Sequence, residues 1–102
     1  MRDAAQFIRE CARGKTLADY RGDRMLRQAV ERNFEIIGEA LKRLAAHDAQ
    51  ASAQIGDHRQ IIAFRNVLIH GYDLVDHALV WSTIESRVPA LLKDVEALLA
   101  RG

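Results

Sequence analysis

Trp81, Ile84, Val88, Leu91, Val95 and Leu98 recur at alternating steps of three and four residues. A β-strand cannot use that spacing, because its side chains alternate faces and an apolar face repeats every second position. A helix can, and it gathers all six residues into one narrow seam of the kind that packs in bundles. Pro89 falls inside the seam. The pattern therefore predicts a last helix that starts after Asp76 and kinks or restarts near Val88, with the stripe continuing.

The same period organises the rest of the chain. Ala4, Phe7, Ile8 and Cys11 predict a first helix over 3–13, which Gly14 is placed to end. Thr16 to Gly22 reads as a short connection whose Leu17 and Tyr20 tuck back onto the core. Asp23 can cap a second helix running to about Ala46. Its stripe is Leu26, Val30, Ile37, Leu41 and Leu44, widened by Ala29, Ala40 and Ala45. Gly38 inside that helix costs about 1 kcal/mol relative to alanine, a hint that another helix comes close there. Residues 47–56 lack amphipathic order and read as a loop or frayed turn.

Asp57 and Gln60 resemble a capping box, so a third long helix begins there and ends near His70. Its apolar residues Ile61, Ile62, Phe64, Val67, Leu68 and Ile69 run almost all the way round. Such a helix is buried on more than one side, by its own bundle or by a partner. The expected fold is an all-α up-and-down bundle of four main helices. At 102 residues it is one domain, 1–102, with material for one core.

Composition narrows the functional classes. Apolar residues make up 49% and proline occurs once, which suits a compact helical protein better than a disordered or β-rich one. A net charge of +1 gives no bulk attraction for nucleic acid, so any RNA contact must come from local clustering. Cys11 cannot form an internal disulfide and sits on an apolar stripe, which fits a core position and a reducing compartment. No signal region follows Met1-Arg2-Asp3, and no apolar run approaches membrane length. The cytoplasm is the expected location, with no membrane partner. His47, His58 and His77 lack metal-ligand spacing, so neither a metal nor a cofactor is expected.

Chemistry concentrates in Arg65-Asn66-Val67-Leu68-Ile69-His70-Gly71-Tyr72. Gly71 suggests that the helix ends or loosens there, with Tyr72 off its end. On an ideal helix Asn66 and His70 share a face, whereas Arg65 lies about 140° round from His70. One straight helix does not bring Arg65 and His70 together easily. A long arginine side chain or a second copy of the helix would close the gap.

This stretch resembles the R-x-x-x-x-H-x-Y motif of the HEPN superfamily, in its HepT-like toxin branch. The likeness extends over nearly the whole chain, through Phe34-Glu35-Ile36-Ile37-Gly38-Glu39-Ala40, Phe64-Arg65-Asn66, and Val80-Trp81 through Leu91. One departure is visible: many relatives carry a tryptophan roughly where this chain has His58. The resemblance implies a HEPN-like bundle and a metal-independent RNase toxin of a type VII-like toxin–antitoxin pair. Its expected partners are RNA, a second copy of itself and an MntA-like nucleotidyltransferase antitoxin, with no DNA. It also implies that Tyr72 is the residue the antitoxin modifies with AMP.

RNA cleavage needs a base for the 2′-hydroxyl, an acid for the leaving oxygen and a cation for the phosphate. His70 can act as acid or base near neutral pH. Arg65 presents a planar fork suited to phosphate. Asn66 can hold the imidazole or bond the phosphate, and Glu39 can pair with Arg65 or orient His70. One histidine cannot be acid and base in a single concerted step, so a symmetric dimer with two of each residue fits best. Arg21, Arg24, Arg27 and Arg32 could track phosphates, but Glu31 and Glu35 interleave with them and a solvated face is the simpler reading. The alternative functions are a non-catalytic nucleotide- or RNA-binding module, or a structural partner of a nucleotidyltransferase.

Overall fold

A computed structural model describes residues 1–70 and 75–100. In chain order its helices are α1 (Arg2–Ala12), α2 (Leu17–Gly22), α3 (Arg24–His47), α4 (Ala49–Ala53), α5 (His58–His70) and α6 (His77–Ala100). The described residues contain no strand. The four long helices are those the sequence predicts, and the fold is an all-α bundle. Asp23 caps α3 by accepting from Leu26 N at 3.0 Å. Asp76 caps α6 in the same way, from Ala78 N at 2.9 Å.

Two connections turn out to be helical. Thr16–Gly22 reads in the sequence as a short connection, and in the structure Thr16 and Asp19 close a reciprocal box that makes it helical. Thr16 Oγ1 accepts from Asp19 N at 3.2 Å, and the Asp19 carboxylate accepts from Thr16 N at 2.9 Å. Two otherwise orphan donors are satisfied at once, which lets a single short turn hold. Thr16→Ala should therefore cost about 1 kcal/mol, read as a lower denaturant midpoint at constant slope. In the 47–56 stretch Asp48 accepts from Ala51 N at 3.0 Å and starts α4. Ile55 after it is wholly buried, which anchors a segment whose sequence has no amphipathic period.

The core is one continuous cluster. Ala4, Ala5 and Ile8 of α1 pack between α3 and α6. Tyr20 of α2 is fully buried, its ring 5.6 Å from that of Trp81 and 6.0 Å from that of His77. Burial pushes its phenol pKa up. Leu17 and Tyr20 thus tuck in as expected. Cys11 is only partly buried at the edge of the core, where desolvation still raises its thiol pKa.

α6 runs unbroken through Pro89. Val88 and Leu91 on either side are 1% exposed, so the seam continues without a restart. The proline ring sits on the exposed face, and its missing N–H removes only the bond to the Glu85 carbonyl. None of the helices is long and apolar enough to cross a membrane, among the described residues.

α5 lies against α3, with Phe64 edge-on to Phe34 at 5.1 Å. Only Ile61 and Leu68 of α5 are buried. Val67 is 50% exposed and, with Leu79, lines a shallow groove between α5 and α6. The bundle itself therefore covers one side of a helix whose sequence calls for more.

Candidate functional site

Placement of Arg65 begins with a missing side chain. A Cβ on Gly38 would collide with Cβ and Cγ of Arg65 and come within 3.2 Å of its Cδ. Glycine at 38 lets the arginine stem lie directly on the α3 backbone, which is the close helix approach its mid-helix position suggested. From there the guanidinium is fixed at two corners. Nη2 donates to Glu39 Oε2 at 3.0 Å, and Nη1 donates to Asn66 Oδ1 at 3.1 Å. The Arg65 side chain is 19% exposed, against 40% for Glu39. An ion pair this open adds at most about 1 kcal/mol to stability. Its consequence is positional: it aims a charged fork along one line.

The other Glu39 oxygen, Oε1, meets Arg43 Nε at 3.5 Å. One carboxylate thus bridges two guanidiniums. Beside it opens a groove of about 390 Å³. Its lining is apolar at Ile36, Ala40 and Ile69, and charged at Arg32, Glu35, Glu39, Arg43 and Arg65. The Arg65 Nε is buried with no hydrogen-bond partner among the described residues, but Arg65 keeps one further N–H on each of Nη1 and Nη2. A phosphate arriving from the groove can take them.

Within one chain, then, Arg65, Asn66 and Glu39 are brought together. His70 is exposed as the last residue of α5 and lies outside the groove's lining. That separation agrees with the angular argument for a straight helix. Gly71 and Tyr72 lie outside the described residues. Of the earlier alternatives for Glu39, the contact observed is the one with Arg65. Asn66 spends its oxygen on Arg65.

Of Arg21, Arg24, Arg27 and Arg32, Arg27 makes a structural contact and Arg32 an exposed ion pair within its own helix. Arg27 donates to the carbonyls of Tyr20 and Arg21, holding the end of α2. Arg32 pairs with Glu35 at 3.2 Å. Arg43 is the residue that sequence reasoning passed over. Its signal was the i,i+4 spacing to Glu39, which puts the two on one helical face.

An all-α bundle carrying this arginine-to-histidine edge on its third long helix is HEPN-like. The chain belongs to the HepT-like family: the family model described as ribonuclease HepT-like matches residues 1–98. It is similar to a Thermococcus cleftensis protein named probable ribonuclease HepT, 32% identical over 96 residues, covering 94% of this chain and 86% of that one. A Caldanaerobacter subterraneus subsp. tengcongensis protein named as a candidate RNase is 32% identical over 96 residues, covering 94% and 85%. A Methanocaldococcus jannaschii protein named in the same way is 31% identical over 94 residues, covering 92% and 85%. No solved structure shows a significant match.

Proposed function

We propose that this protein is a metal-independent endoribonuclease toxin of a two-protein toxin–antitoxin pair. The observation that carries the reading is Arg65, seated on Gly38, held by Glu39 and Asn66, and open to a groove, with an exposed His70 five residues further along the same helix. Membership of a family described by ribonuclease activity supports it. In the proposed reaction a His70 imidazole removes the proton from a ribose 2′-hydroxyl. The 2′-oxygen bonds to the neighbouring phosphorus, the bond to the 5′-oxygen breaks, and a second imidazole returns a proton to that oxygen. Arg65 stabilises the negative charge on the phosphoryl oxygens.

Two His70 imidazoles require two chains, and the half-exposed Val67, beside Leu79 in an uncovered groove of α5, supports a symmetric dimer built on that helix. Light scattering at micromolar concentration should give twice the chain mass. A monomer would remove the composite site.

Tyr72 is the proposed acceptor of AMP from an MntA-like nucleotidyltransferase. Each AMP adds a phosphate two residues from His70, where it competes for the Arg65 fork and fills space the substrate needs. Intact-mass measurement after co-expression should show AMP increments that map to residue 72, with cleavage lost. Tyr72→Phe should stay unmodified and toxic beside the partner. An unmodified Tyr72 in a fully neutralised complex would show that the antitoxin acts by occlusion. Wild-type protein that cleaves no single-stranded or transfer RNA would leave the binding-module reading standing instead.

A further inference from the structure

We propose that the groove along α3 is a binding track for single-stranded RNA that runs past the scissile phosphate, with Arg32 and Arg43 taking the phosphates on either side of it. The inference rests on the ribonuclease reading above and specifies how its substrate lies. Arg32 and Arg43 both line the groove, as does Arg65 between them. Eleven residues of helix separate the outer pair, a rise of about 16 Å, which is longer than one nucleotide step.

The lining between the cations decides the strand type. Ile36, 39% exposed, lies with Ala40 and Ile69 in the apolar part of the groove. Aliphatic surface can receive only a base that has left its stack, and unpaired RNA offers such bases where a duplex does not. The carboxylates then set the spacing. Glu39 occupies the space between Arg43 and Arg65, bonded to both, and Glu35 sits against Arg32. A phosphate placed between two of these arginines would meet a carboxylate. Phosphates are therefore favoured on the outward faces of the guanidiniums, one to each arginine.

Neither outer arginine is committed to the fold. The Arg32 and Arg43 side chains are 70% and 74% exposed, each held by a single carboxylate within its own helix. Such contacts are exchanged for phosphate at little cost. This sets them apart from Arg27, whose guanidinium is spent on the carbonyls that end α2.

The test measures binding of a fluorescein-labelled oligouridylate by anisotropy, using His70→Ala protein as the parent so that no RNA is cut. Arg32→Gln and Arg43→Gln in that background should each weaken binding about fivefold near 0.1 M salt and lower the salt slope by about 0.7. The double variant should lower it by about 1.4, while Arg43→Lys keeps the parental slope. Lys93→Gln, on the exposed face of α6, should change neither quantity. A parent that binds RNA with a slope indifferent to Arg32 and Arg43 overturns the track and leaves the ribonuclease reading intact. A parent that binds no RNA at any salt overturns both. A duplex of the same length bound as tightly as the single strand overturns the assignment of strand type.

Discussion

His70→Ala should lower RNA cleavage by about 10²–10⁴-fold and abolish toxicity in a growth assay without the partner. Arg65→Ala should cost roughly 10²–10³-fold, the loss expected when one preorganised charge donor at a reacting phosphate is removed. The two variants differ in what else they disturb. His70 is exposed, so its truncation should leave helical content and melting temperature unchanged. Arg65 lies across Gly38 and is four-fifths covered, so its truncation removes packing as well as charge. A small loss of stability should accompany it. Arg65→Lys should not rescue activity, because an ammonium cannot reach Glu39, Asn66 and a phosphate with one planar fork. If His70→Ala cleaves RNA like wild type in purified form, the imidazole is no acid or base and the proposed chemistry falls.

The period of the apolar residues was enough to place three of the four long helices, because seams such as Trp81 to Leu98 repeat through several turns and average out local noise, while α5 was placed by the Asp57–Gln60 capping signal and its nearly all-round apolar run. The two short helices were missed for the opposite reason. α2 and α4 are six and five residues long, too short to show a period, and their cues were single capping residues, Thr16 and Asp48. At the site, the sequence named Arg65, Asn66 and Glu39 and offered two roles for the carboxylate, pairing with Arg65 or orienting His70. Which of those roles Glu39 takes depends on how α5 crosses α3, and the crossing brings it to Arg65 at 3.0 Å. The four-residue step from Glu39 to Arg43 was visible all along, but nothing in the chain said that this face borders a groove. His58, where relatives carry tryptophan, uses its ring Nδ1 against the Ile55 carbonyl at 2.9 Å, a local contact that fastens the turn into α5.

Gly38→Ala sets two effects of opposite sign against each other at the centre of the site. Helix propensity alone predicts a gain of about 1 kcal/mol, since Gly38 lies inside the 24-residue α3. The contact predicts a loss. A methyl group there collides with Cβ and Cγ of Arg65, atoms fixed to the α5 backbone and not the free end of a flexible chain. Relief requires α5 to move, and α5 is tied to α3 by Phe64 against Phe34 and by Leu68, which is 4% exposed. Overpacking of this kind typically costs 1–3 kcal/mol, so the loss should win and lower the melting temperature by several degrees. Cleavage should fall further than stability does, because a shift of about 1 Å in a group that positions phosphate can cost 10²-fold. The substituted protein should keep the wild-type oligomeric state and helical spectrum, which separates misplacement of Arg65 from unfolding. Should Gly38→Ala instead raise the melting temperature and keep full activity, α5 would not be pressing on α3 at this point, and Arg65 would owe its position to Glu39 and Asn66 alone.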